Sequence, residues 1–141
     1  MIVLDTNVLS EPLRPRPDRD VLEWLDRQAP ATLYMTTISL AELWTGIELL
    51  PAGKRRSLLH EAMAKQVLPL FDGRVLPFDV DAASAFARIF FKAQAVGNSI
   101  DFADCAIAAI ALSRKFIVAT RNAKGFKGSG IEVLNPWDAK R

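Results

Sequence analysis

Short apolar runs rich in β-branched residues alternate along this chain with longer stretches whose apolar residues recur at helical spacing, and that alternation leaves few folds open. Ile2, Val3 and Leu4 form the first run, which ends in Asp5, Thr6 and Asn7 and reads as a buried strand delivering a polar turn. Runs at 33–37, 75–78, 116–119 and 131–134 read as further strands, and Pro77 marks the run at 75–78 as an edge. Helical stripes lie between them: Val21, Leu22, Trp24 and Leu25; then Leu40, Leu43, Trp44 and Ile47 within 39–50. Leu58, Leu59, Ala62 and Met63 mark a helix over 54–67 that Pro69 ends or kinks; another starts at Asp81 and closes at Gly97 and Asn98. Residues 101–114 form the most apolar helix. Parallel strands need a crossover of about a dozen residues, so the alternation predicts a three-layer α/β/α domain around a mainly parallel sheet. With 141 residues the chain is expected to form one domain over 1–141.

Composition narrows the chemistry. Half of the residues are hydrophobic and 24% are charged, which supplies a core and argues against disorder. A formal net charge of +2 excludes a polybasic nucleic-acid coat, so any nucleic-acid contact must be local. One cysteine, Cys105, and one histidine, His60, exclude a disulfide framework, a Cys/His zinc site and any mechanism that needs two histidines. The reactive groups must then be oxygens. No apolar run approaches the roughly 18 residues of a membrane span and no signal peptide is evident, so we expect no membrane association and a reducing cytoplasm.

In open parallel sheets, ligands bind beyond the carboxyl ends of the strands, where strand order reverses. Asp5 ends the first strand, Glu42 lies in the first turn after the second, Asp104 opens the helix before the fourth, and Thr120, Arg121 and Asn122 end that strand. Each acid also has a plainer role. Asp5 suits a helix cap, Ser39 and Glu42 have capping-box spacing, and Asp101 and Asp104 stand three apart at a helix start, where the dipole favours anions. Asp104 resists that reading most, because a carboxylate in so apolar a helix is costly unless paired or metal-bound. No Lys or Arg lies within a helical turn of it. Acids without histidine suit Mg²⁺ or Mn²⁺ rather than zinc. Cys105 reads as core, His60 and the basic run 54–56 as solvated surface, Trp24, Trp44 and Trp137 as packing anchors, and Gly125, Gly128 and Gly130 as turns.

Taken together, the opening Met-Ile-Val-Leu-Asp5-Thr6-Asn7, Ala41-Glu42-Leu43, Phe102-Ala103-Asp104 with Ile107-Ala108-Ala109, Ala119-Thr120-Arg121-Asn122 and Asn135-Pro136-Trp137 resemble, almost end to end, a PIN domain. Within that family the chain is most similar to the VapC toxins of bacterial toxin–antitoxin pairs, and its opening through Arg14 to the FitB-like branch. The resemblance implies a Mg²⁺-dependent endoribonuclease, with Mn²⁺ as substitute, that hydrolyses RNA phosphodiesters, forms a homodimer and is inhibited by a cognate VapB-like antitoxin. It puts Asp5, Glu42 and Asp104 on the catalytic, metal-holding positions and makes Thr6, Asp101, Thr120 and Asn122 auxiliary groups. Arg121, Lys124 and Lys127, with the run at 54–56, are candidate RNA-phosphate guides. The chain departs from the pattern at Asn122, where many PIN domains carry a fourth acid, and this raises an alternative: a PIN-like binding module with impaired catalysis. A receiver-like phosphoacceptor domain with Asp79 as acceptor has similar size and alternation, but it needs a pair of acids after the first strand, where this chain has one.

Overall fold

Strand side chains alternate between two apolar faces, so helices must cover both sides of the sheet. The computed structural model describes residues 1–138. In chain order its elements are β1 (Ile2–Leu4), α1 (Thr6–Ser10), α2 (Arg19–Arg27), β2 (Leu33–Thr36), α3 (Thr37–Glu48), α4 (Lys54–Ala62), α5 (Leu68–Leu70), β3 (Val75–Leu76), α6 (Val80–Ala95), α7 (Phe102–Ser113), β4 (Ile117–Ala119) and β5 (Val133–Leu134). The strands form one sheet in the order β3-β2-β1-β4-β5, and every pairing is parallel.

Register sets Val3 beside Tyr34 and Val118, and Val118 beside Val133. These residues pack with Leu76 against α6 and α7. Their neighbours along each strand, Leu4, Leu33, Met35 and Ala119 among them, pack on the other face against Val8 and Leu9 of α1, Trp24 of α2 and Leu43 and Ile47 of α3. The result is the α/β/α layering expected from the alternation. Small residues bring the helices close: Ala82, Ala85 and Ala93 of α6 and Ala106, Ala108 and Ala109 of α7 are all fully buried.

The structure adjusts several boundaries. The helix expected over 54–67 is α-helical only to Ala62; Met63–Val67 is a π turn in which the Leu68 N–H reaches the Met63 carbonyl. Pro69, which has no N–H to contribute, opens the short α5 that follows instead of breaking a longer helix. Asp79 rather than Asp81 starts α6, its side chain accepting the Ala82 N–H at 2.9 Å. β3 lies at the sheet edge, as Pro77 predicts. No helix among the described residues is long and apolar enough to cross a membrane.

The chain moves from β1 to β2 and β3 on one side, then crosses to β4 and β5 on the other. Strand order therefore reverses between β1 and β4, and the crevice beyond their carboxyl ends is where a ligand site is expected.

Candidate active site

Asp5 leaves β1 with extended backbone and continues the ladder, its N–H donating to the Ala119 carbonyl at 2.9 Å. It does cap α1: Oδ1 accepts the Thr6 N–H at 2.8 Å. Its other oxygen accepts the Thr120 hydroxyl at 2.6 Å and, more weakly, the Asn7 amide at 3.4 Å. The plain and functional readings of Asp5 thus coexist in one side chain. Only 3% of the residue is exposed. Burial raises its pKa; the bonds from Thr120 and Thr6 oppose the rise, and the negative charges of Glu42 and Asp101 add to it.

Glu42 is placed by a cap different from the one its spacing suggests. Thr36 caps α3, its hydroxyl accepting the Ser39 N–H at 3.0 Å, so Ser39 and Glu42 do not form a capping box. Their side chains are released toward Thr6, whose hydroxyl donates to Glu42 Oε1 at 2.6 Å and lies 2.9 Å from Ser39 Oγ. Asp101 does take the plain role, accepting the Asp104 N–H at 2.8 Å as the cap of α7. Asp104 follows in the first turn, half-buried, and accepts the Asn122 amide on Oδ2 at 3.1 Å. Burial, with the like charges of Asp5, Asp101 and Glu42, lifts its pKa from 3.8 to about 6, and the Asn122 bond offsets part of that rise.

The fold thus brings the predicted acids into one electrostatic field without a compensating cation. Among the described residues, every ion pair lies elsewhere: Arg14 with Glu11, Arg56 with Glu48, Lys65 with Glu61 and Arg114 with Asp79. The donors are oxygens, and their unneutralised charge fits a small hard cation. No group of three His, Cys, Asp or Glu among the described residues is placed to hold a common ion, so such an ion would take one or two carboxylates and complete its shell with water.

Thr120 is fully buried between Asp5 and the Asn122 N–H, which it accepts at 3.0 Å. Asn122 is an exposed clamp whose groups are both engaged: its carbonyl accepts the Gly125 N–H at 3.3 Å and its amide holds Asp104. A Cβ at Gly125 would sit 2.3 Å from the Asn122 amide nitrogen, so this glycine serves close approach. Gly128 and Gly130 have positive φ and are the expected turn residues.

Sequence reasoning missed two members. Asn7 spans the crevice, accepting the Arg121 N–H at 3.2 Å while its amide reaches Asp5 and Thr120. Ser39 is buried behind Thr6. Their signal was positional, one lying two residues past the acid at a strand end and the other three residues before Glu42.

The basic candidates divide. Arg121 lies at the rim with its guanidinium 5.1 Å from the Trp137 ring centre. Lys124 and Lys127 are exposed on the following turn. Arg56 of the run 54–56 is bonded to Glu48 at 2.8 Å. Other groups are accounted for: the buried Cys105 thiol donates to the Phe86 carbonyl and burial pushes its pKa to about 11, which removes it as a nucleophile. Exposed His60 stacks on Trp44. Asp79 caps α6 beside the edge strand and lies 3.8 Å from Arg114, away from the β1/β4 crevice.

A PIN domain family model matches residues 2–128. The plasmid stability protein StbB of Pseudomonas syringae pv. tomato is 50% identical over 139 residues, covering 99% of this chain and 100% of its own. The VapC ribonuclease Y4jK of Sinorhizobium fredii is 46% identical over 138 residues, covering 98% and 99%. The toxin FitB of Neisseria gonorrhoeae is 45% identical over 137 residues, covering 97% and 99%. The crystal structure of FitAcB from that organism superposes with a TM-score of 0.95 at 45% identity, over 99% of this chain and 100% of the other.

Proposed function

This chain belongs to the PIN-domain family, and from that premise we propose that it is the endoribonuclease toxin of a VapBC-type toxin–antitoxin pair, one nuclease domain over 1–141 that hydrolyses RNA phosphodiesters beyond β1 and β4. The observation that carries this reading is the set of Asp5, Glu42, Asp101 and Asp104, which raise the proton affinity of Asp5 and Asp104 with no cation to relieve them. A fold that maintains such repulsion is less stable for it, and binding a cation and a phosphate is what the repulsion would serve.

Asp5 and Asp104 would hold the metal. A divalent ion there, Mg²⁺ or Mn²⁺, supplies charge neutralisation at the scissile phosphate and acidifies water. The protein's part is to fix the oxygens. Thr120, Thr6 and Asn7 immobilise Asp5, and Asn122 immobilises Asp104. Thr6 occupies one Glu42 oxygen and leaves the other to accept a hydrogen bond from the attacking water. Asp101 caps α7 and adds negative charge. Arg121, Lys124 and Lys127 receive flanking phosphates. Hydrolysis by water needs no ribose 2′-hydroxyl, so the preference for RNA rests on the shape of the groove, and single strands or loops are the expected targets. Partners are a second copy of the chain and a VapB-like antitoxin. Because Asn122 is used to hold Asp104, its neutrality does not favour an impaired module.

The test is cleavage of end-labelled single-stranded RNA by purified protein. Cleavage is expected with Mg²⁺ or Mn²⁺, little with Ca²⁺ and none in chelator, and a deoxy substitution at the cut position should not block it. Full activity in both Asp5→Asn and Asp104→Asn, in preparations free of other nucleases, would overturn the site. Co-expression with the adjacent reading frame tests the antitoxin; a product that neither copurifies nor relieves growth inhibition would exclude it.

A further inference from the structure

Arg121 is a long, exposed cation one residue beyond Thr120, whose hydroxyl bonds Asp5. Its main chain is fixed to the site, the N–H donating to Asn7 Oδ1 at 3.2 Å. Coulomb attraction would draw such a guanidinium onto neighbouring carboxylates, where it would neutralise the field and compete with a metal. Arg121 forms no ion pair among the described residues; its guanidinium lies over the Trp137 ring at 5.1 Å. Trp137 is itself held in place. The turn after β5 closes on Asn135, whose side chain accepts the Trp137 N–H at 2.9 Å and whose carbonyl accepts the Asp138 N–H at 3.1 Å. β5 is tied to the site strand, since the Thr120 N–H donates to the Leu134 carbonyl at 2.9 Å. The half-buried indole also packs on the core beside α1 to α3, so its orientation is set by the fold.

We propose that Trp137 is a positioning residue, its indole holding the Arg121 guanidinium away from the acids and presenting it to a phosphate of the bound RNA strand. Stacking uses the face of the guanidinium and leaves its N–H groups in the plane, the arrangement that bonds phosphate oxygens in a fork. Trp137 therefore acts through Arg121 and does not touch the reacting atoms. This role rests on the ribonuclease reading above.

The experiment compares the full chain with Trp137→Leu, Trp137→Phe, Arg121→Ala and the double variant Trp137→Leu/Arg121→Ala. Binding of a fluorescein-labelled single-stranded RNA is followed by anisotropy in chelator at several salt concentrations, and cleavage kinetics are measured with Mg²⁺. Trp137→Leu should weaken binding and raise KM by about threefold to tenfold with kcat changed by less than about twofold, and Trp137→Phe should recover most of the loss. The slope of log affinity against log salt should fall by about 0.7 in both Arg121→Ala and Trp137→Leu, as when one phosphate contact to a single strand is lost. The double variant should be no weaker than Arg121→Ala. Wild-type affinity and salt slope in Trp137→Leu, or losses that add in the double variant, would overturn the positioning role while leaving the ribonuclease reading intact. If Trp137→Leu fails to fold, Trp137→Phe decides: a drop in affinity without a change in unfolding temperature supports the role, and an unchanged affinity overturns it. A wild-type protein that neither binds nor cuts RNA would overturn the ribonuclease reading and this role with it.

Discussion

At the scale of single residues, the acids carry opposite consequences for stability and for function. The Asp104 pKa is raised from 3.8 to about 6, and that of Asp5 moves in the same direction. Over that interval the folded state keeps protons that the unfolded chain releases, so stability must fall as pH rises through it. The metal-free protein should accordingly unfold at a lower temperature at pH 7.5 than at pH 5, and Mg²⁺ should raise the unfolding temperature more at pH 7.5. Scanning calorimetry with and without the ion checks both; a stability that climbs through this interval would mean the acids are already neutralised. Asp104→Asn removes the charge at nearly constant volume and keeps an oxygen for the Asn122 amide. Cleavage should drop by about 100-fold or more while the metal-free variant unfolds no earlier than the wild type at pH 7.5 and shows a flatter pH dependence. Asn122→Asp replaces the donor to Asp104 with a charge about as close as the present 3.1 Å bond. Calorimetric Mg²⁺ titration without RNA should then give tighter binding, with slower turnover because the added charge repels phosphate. An unchanged affinity would place that side chain outside the metal field.

At the scale of elements, the site is built from starts and ends rather than interiors. Thr36 caps α3, Asp101 caps α7, Asp5 caps α1 and Asn122 caps the 3-10 turn Ala123–Phe126. Each cap satisfies backbone N–H groups that would otherwise be orphaned, and each thereby fixes the direction of a neighbouring site residue. The 3-10 turn is the weakest of these supports, because its approach to Asn122 tolerates no side chain at Gly125. Gly125→Ala should displace Asn122 from Asp104, destabilise the protein by about 1–3 kcal/mol and lower cleavage. Thermal unfolding and cleavage measured on the same sample check this; wild-type values for both would mean the turn shifts without disturbing the clamp.

At the scale of the whole molecule, one surface is out of character for a solitary chain. Phe78, Phe90 and Phe102 surround Phe86 with ring centres 5.1–6.2 Å from it, and they remain 36%, 39% and 68% exposed. Phe102 adjoins Asp101, so this face continues from the acid site along α6. The expected homodimer would cover it, because a patch presented by both copies is self-complementary across a two-fold axis. Phe90→Lys and Phe102→Glu together should yield monomers by sedimentation, and a dimer of wild-type affinity would move the interface elsewhere.

The sequence by itself determined the alternation of strands and helices, the two-faced sheet and its edge at β3, because two-residue and 3.6-residue periodicities are local properties of the chain. It also marked Asp5, Glu42 and Asp104, since acids at strand ends and helix starts stand out against apolar surroundings. Only the tertiary structure decided what those acids do to one another. The release of Ser39 and Glu42 by the Thr36 cap depends on where β2 hands over to α3, and their contact with Thr6 spans 33 and 36 residues of sequence. The bond from Thr120 to Asp5 crosses 115 residues, and that from Asn122 to Asp104 joins a turn to a helix. Such contacts follow from strand order, since β1 meets β4 only because the chain crosses back over the sheet, and no local pattern in a single sequence encodes that meeting.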